Sequence, residues 1–171
     1  MIKRVVLLAM LVITGLALET SVFGELTLTG TKSELMVLIT VGVALTQGPS
    51  TGAMAGFVAG LASDLILGLP RGVGALTLTL TGYVVGRMRV LFQTPTAWMP
   101  IAMVTAATFF AVLFYGGFSI LLGQTSLPMV RILRHAALAS VYNALLTPFL
   151  YPVLRTVGGK LGPRSEEVLP S

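Results

Sequence analysis

Cysteine is absent from the 171 residues, and histidine occurs once, at His135. A disulfide framework is therefore excluded, as are cysteine-ligated metals and any site that needs two imidazoles. Charge is the next scarcity. Asp, Glu, Lys and Arg make up 10% of the chain, against 55% hydrophobic residues and a mean hydropathy of +0.93. A water-soluble domain of this size carries roughly a quarter charged residues. A chain with so few cannot cover its own surface in water, so the composition specifies an integral membrane protein forming a single polytopic domain over residues 1–171. The net charge of +5 does not argue for nucleic acid. In a membrane protein, excess Lys and Arg mark cytoplasmic loops. Enzyme signatures are also expected to be lacking: no Walker loop, no HExxH pair and no GxSxG elbow. Of the six acids, Glu166 and Glu167 sit together in the polar tail, where they form a solvated charge pair. A membrane transferase would need several acids and bases at one interface. The expectation is a protein that is not an enzyme and holds no cofactor or metal.

What is present is a series of apolar runs. A basic head, Met1 to Arg4, precedes an apolar stretch from 5 to 23 that is interrupted by Glu19. This could describe a signal peptide, but no small-x-small cleavage site follows, so it reads as a retained first span. Five more spans are expected at about 34–46, 51–69, 73–86, 100–122 and 132–154, with a tail over 155–171. "GELTLTGTKS" (24–33) and "GQTSLPMVR" (123–131) read as loops, "QGPS" (47–50) and "PRG" (70–72) as turns, and "RMRVLFQTPTAWM" (87–99) as a basic amphipathic connection. Trp98 belongs at the membrane interface. The second and fourth spans fall short of the roughly 20 residues that cross a bilayer, which puts them between longer neighbours or in locally thinned lipid. "TLTLTGY" (77–83) alternates with the period of a strand. A lone strand cannot satisfy its backbone in lipid, so helix is expected, with threonine hydroxyls bonded back to their own carbonyls.

Six spans place both termini on one side. With the N-terminus cytoplasmic, Lys3, Arg4, Arg87, Arg89, Arg155, Lys160 and Arg164 all lie inside. Lys32, Arg71 and Arg131 lie outside, with Arg134 just within the outer end of the sixth span. That distribution follows the positive-inside rule, and the opposite orientation breaks it.

Two groups of residues stand out in the spans. Gly52, Gly56 and Gly60 recur every four residues, and Asp64 and Gly68 continue the row. Such a row is a groove that lets another helix approach closely, either inside the bundle or from a partner. Gly72, Gly74, Gly82 and Gly86 extend the pattern into the next span. The second group is charged. Glu19 and Asp64 fall in the outer halves of their spans, at the depth of Arg71 and Arg134. A carboxylate at a helix centre costs about 2.5–3.5 kcal/mol on insertion scales. A structural lock, through an ion pair or a hydrogen-bonded acid, is one reading of this polar cluster, and a proton or substrate relay is the other. Asn143 and Tyr142 are expected to bond to a neighbouring helix.

The segment "GPSTGAMAGFVAGLASDLILGLPRGVGALTLTLTGYVVGRMR" (48–89), about a quarter of the chain, resembles the core of the rod shape-determining MreD family. The matching positions are Gly48, Pro49, Gly52, Gly56, Phe57, Gly60, Leu61, Asp64, Gly68, Pro70, Gly72, Ala75, Leu76, Gly82, Tyr83 and Gly86. The family commonly has an apolar residue where Arg71 stands, an asparagine at Gly74, and Pro-Asp where the chain has Ser33-Glu34. The resemblance implies a six-helix, all-α fold similar to the substrate-binding subunit of energy-coupling-factor transporters. It implies a multi-pass protein of the bacterial cytoplasmic membrane, surrounded by the lipid bilayer. It also implies a non-enzymatic scaffold of the cell-wall elongation complex. The scaffold would bind MreC beside MreB, RodA and the transpeptidase partner of RodA, and help couple cytoskeletal filaments to peptidoglycan synthesis. The architecture would equally suit a solute-binding subunit of a vitamin transporter, whose site needs more outer-loop polar and aromatic groups than Lys32, Arg71, Gln124 and Arg131 supply.

Overall fold

The computed structural model describes residues 13, 14, 17, 35–66, 72–91, 98–123 and 128–161. Five helices run in order: α1 (Leu35–Gln47), α2 (Pro49–Ile66), α3 (Val73–Leu91), α4 (Met99–Leu121) and α5 (Met129–Leu161). No strand occurs among the described residues. Ile13, Thr14 and Ala17, inside the first expected span, are helical and exposed. The rest of that span lies outside the described residues.

Each helix has a local cause. Gly48 is the single residue between α1 and α2, at φ 93°. Its N–H donates to the Ala44 carbonyl at 3.0 Å and its own carbonyl accepts from Gly52 N–H at 3.0 Å. One left-handed glycine therefore closes the first helix and opens the second, with Pro49 at the first helical position where its missing N–H costs nothing. The turn expected at 47–50 is thus a one-residue hinge. The alternating "TLTLTGY" stretch is helical, as lipid requires. Thr77, Thr79 and Thr81 donate their hydroxyls to the carbonyls of Val73, Ala75 and Thr77 at 2.6–2.7 Å. α3 runs five residues past the expected end, so Arg87 and Arg89 stand on a helix rather than in a connection. Nothing in "RMRVL" breaks a helix, and arginine stems can lie along it while their heads reach water. α5 is likewise longer than expected at both ends and carries Pro148 and Pro152 in its interior. The prolines remove the N–H groups that would bond to the carbonyls of Ala144 and Pro148, a loss tolerated in membrane helices where neighbours compensate.

α1 is the centre of the molecule. It touches each of the other four helices, and Leu35 through Leu45 are all buried. A helix apolar all round has no face to give to water. The short second span is therefore sheathed by protein. Met36, Val37, Leu38, Val41 and Leu45 of α1 form the main core with Val104, Ala107 and Ala111 of α4 and Leu154 of α5. α4 and α5 pack antiparallel, Gly116 against Ile132 at one level and Thr108 against Asn143 at another. The outward faces are apolar, with Phe110 68% and Phe149 75% exposed. α4 and residues Met129–Thr156 of α5 are long and apolar enough to cross a membrane.

Candidate functional site

The glycine row and Asp64 meet in the α2–α3 hairpin. Gly52 of α2 faces Gly82 of α3, where an added Cβ would lie 2.7 Å from the Gly82 carbonyl oxygen and 2.6 Å from Ala44 Cβ of α1. Gly56 lies against the Leu78 backbone, with Thr79 N 2.9 Å from where its Cβ would stand. Gly60 lies against Ala75, 2.5 Å from Ala75 Cα on the same measure, and Gly86 against Pro49, 2.6 Å from its nitrogen. The pairs step along both helices in opposite directions, so the seam is antiparallel and runs nearly the full length of the hairpin. Its contacts are backbone on backbone. Any side chain at these positions would push the helices apart, and lipid has no hydrophobic drive to hold them together across a gap. Gly52, Gly56, Gly60, Gly82 and Gly86 thus meet one another's helices. Gly72 has another task. Its φ is 100° and nothing lies within 4 Å of an added Cβ, so it is a glycine for backbone conformation. Gly68 lies outside the described residues.

Asp64 sits one turn beyond Gly60 and is 1% exposed. Its Oδ2 accepts from the backbone N–H of Gly72 at 2.9 Å and of Ala75 at 3.2 Å. The carboxylate stands at the N-terminus of α3, where free N–H groups and the helix dipole both favour an anion. Its Oδ1 has no hydrogen-bond partner, nor have Ser63 Oγ beside it in sequence and Thr40 Oγ1 on α1. Arg134 is exposed on α5, and no ion pair joins it to Asp64. Glu19 and Arg71 lie outside the described residues. Sequence reasoning missed the roles of Gly72 and Ala75 as donors. The signal available was an acid eight residues before a glycine that follows a Pro-Arg break, a helix start in waiting.

A second polar contact lies between α4 and α5. Asn143 Nδ2 donates to Thr108 Oγ1 at 3.0 Å, and both residues are fully buried. Thr147 returns its hydroxyl to the Asn143 carbonyl at 2.6 Å. Asn143 therefore bonds to a neighbouring helix as its position in an apolar span requires. Thr108 was not foreseen, since a threonine in a helix ordinarily satisfies itself on its own turn.

Gly48-Pro49-Ser50-Thr51-Gly52 spells the GxSxG pattern, but a nucleophile elbow is a strand-to-helix turn. Here Ser50 stands in the first turn of α2, directly after another helix, and is exposed. Among the described residues no three His, Asp or Glu side chains come together as a metal would need.

A sheathed central helix, outward apolar faces and a close-packed glycine hairpin with a buried acid at its tip define a membrane protein that is helical throughout its described elements. The family model for the rod shape-determining protein MreD matches residues 1–157. The chain belongs to the MreD family. Comparison with curated proteins gives no match, and comparison with solved structures gives none either.

Proposed function

We propose that this protein is a non-enzymatic, multi-pass scaffold of the bacterial cell-wall elongation complex, binding MreC and linking cytoskeletal filaments to peptidoglycan synthesis. Family membership fits a role in determining rod shape. The observation that carries the finer reading is where the buried polar side chains go. Asp64, Thr77, Thr108, Ser140, Asn143 and Thr147 all hydrogen-bond within or between helices. Groups spent on packing are not available to a substrate, and among the described residues the buried side-chain polar atoms left without a partner are three, Thr40 Oγ1, Ser63 Oγ and Asp64 Oδ1. The outward surface of α2 and α3 instead presents large apolar side chains, among them Phe57, Leu61, Leu65, Leu80 and Tyr83. That surface suits lipid and the transmembrane helix of a partner such as MreC or RodA.

In this reading the chain crosses the membrane six times with both termini cytoplasmic. Arg87, Arg89 and Arg155 then lie at the inner face and Arg131 and Arg134 at the outer. The experiment is depletion in a rod-shaped host, with affinity purification of the chain from native membranes. Round or swollen cells and recovery of MreC are expected. Normal rods, or a purified protein stabilised by a vitamin and free of MreC, would reverse the reading in favour of a solute-binding subunit.

A further inference from the structure

Asp64 is the only carboxylate among the described residues. The arginines described with it, Arg87, Arg89, Arg131, Arg134 and Arg155, are all exposed. Arg87 ends the outward stripe of α3. Leu76, Leu80, Tyr83 and Val84 precede it at the three- and four-residue steps of one helix face, and each is 44–49% exposed. From Leu76 to Arg87 the stripe is roughly 16 Å tall, about the depth of one lipid leaflet. Gly86, the residue before Arg87, lies against Pro49. Arg87 therefore stands at the end of the hairpin opposite Asp64. The separation is about 20 Å along α2, roughly two screening lengths at physiological salt.

We propose that Arg87 holds the headgroup phosphate of an anionic phospholipid whose acyl chain lies along Leu76, Leu80, Tyr83 and Val84. An arginine fork donates to two phosphate oxygens at once, and its stem can lie along the helix while the guanidinium reaches the headgroups. Tyr83, one turn deeper, offers an amphipathic ring beneath the head. Ser50, exposed and next to Pro49, adds a hydroxyl at the same level. The preference for a net negative head follows from what is missing. With no described carboxylate at this end, the ammonium of a zwitterionic head has no partner while its phosphate does. Continuity favours lipid over an acidic protein segment, since the face that leads to Arg87 is apolar. Arg89, two residues on, is turned about 200° away and cannot serve the same head. This inference rests on the hairpin lying in a bilayer, as proposed above, and is independent of which side the termini face.

The test titrates the purified full chain in detergent with phosphatidylglycerol, or with phosphatidylcholine of the same chains, and reads retained lipid by native mass spectrometry. Phosphatidylglycerol is expected to be retained more tightly. Arg87→Gln is expected to weaken it about fivefold, the worth of one basic side chain at an anionic surface, and to leave phosphatidylcholine unchanged. Tyr83→Ala is expected to weaken both lipids. Arg89→Gln is expected to cost less than about twofold, and a loss equal to that of Arg87→Gln would reduce the site to diffuse attraction and overturn it. Equal retention of the two lipids would overturn the anionic head and leave Arg87 to an acidic partner. Displacement of phosphatidylglycerol by inorganic phosphate alone would overturn the apolar bed. Replacing Glu166 and Glu167 in the polar tail by glutamine is expected to change nothing, and tighter lipid binding in that variant would make the tail the partner of Arg87. Retention of neither lipid would overturn the placement of this face in a membrane together with the site. Arg87 is exposed, so an unchanged melting temperature for Arg87→Gln is expected and separates lost lipid from lost fold.

Discussion

At the scale of single residues, most buried polar side chains among the described residues bond to the protein's own backbone or to each other, while Thr40 Oγ1, Ser63 Oγ and Asp64 Oδ1 have no partner. Asp64 shows how. A buried carboxylate in an apolar helix looks anomalous in sequence, yet two backbone N–H groups at the start of α3 account for one of its oxygens. Asn143 is the simpler case. Replacing it by leucine removes the bond to Thr108 and leaves a hydroxyl in a dry interface. Interhelical hydrogen bonds in membranes are worth about 0.6–2 kcal/mol, so Asn143→Leu is expected to lower the melting temperature by roughly 2–6 °C in detergent. Thr108→Val is expected to cost at least as much, since the amide N–H loses an acceptor but stays buried. The two losses measured together should fall short of their sum. The sequence made Asn143 legible as a residue seeking a neighbour. It could not name Thr108, because the pairing depends on how α4 and α5 are registered, and many hydroxyls lie on those helices.

At the scale of helices, the α2–α3 hairpin is the element whose geometry most constrains its sequence. The four-residue glycine spacing is readable as a groove, but whether the groove meets its own chain or a partner is not. Tertiary contact decides that the next helix in the chain fills it. Gly56 is the tightest point, lying against the Leu78 backbone. A flexible side chain there could yield, but a backbone cannot. Gly56→Leu is expected to cost about 3 kcal/mol or more, the upper end for overpacking, and to reduce the folded fraction seen by size-exclusion in detergent. Gly117→Ala on α4 is the control. Nothing lies within 4 Å of its added Cβ, so the change is expected to be neutral or to stabilise by up to about 1 kcal/mol through helix propensity. Helix ends illustrate the other limit of sequence reading. α3 outruns its apolar core because the flanking Arg, Met and Leu residues favour helix and no breaker intervenes, and α5 continues to Leu161 even through Gly158 and Gly159. Apolarity marks where lipid is. It does not mark where hydrogen bonding stops.

At the scale of the whole molecule, the lack of cysteine becomes useful. Every cysteine introduced is unique, so accessibility to a membrane-impermeant thiol reagent maps topology without background. Under the six-span reading, Thr125→Cys is expected to label from outside in intact cells, and Ser165→Cys only after the membrane is opened. Labelling of both from outside would rule out that orientation. The same scale explains why α1, too short to span lipid comfortably, is stable: protein surrounds it on every side. Truncating Leu38 to alanine should cost about 2–5 kcal/mol by opening a cavity in that centre, visible as a large drop in melting temperature.

Composition by itself determined that the chain belongs in a membrane, because so few charges cannot cover a surface in water. Lipid then determined that the described spans are helical, even where threonines alternate like a strand, since only a helix satisfies its own backbone there. The 48–89 segment carried the family. Only the tertiary structure decided that the glycine row closes on the neighbouring helix and that Gly72 is a turn rather than a packing site. It alone showed that Asp64 serves the backbone of α3. Those outcomes rest on the register and distance between helices. Side-chain spacing within one helix constrains which face is turned inward, but does not say what stands opposite it.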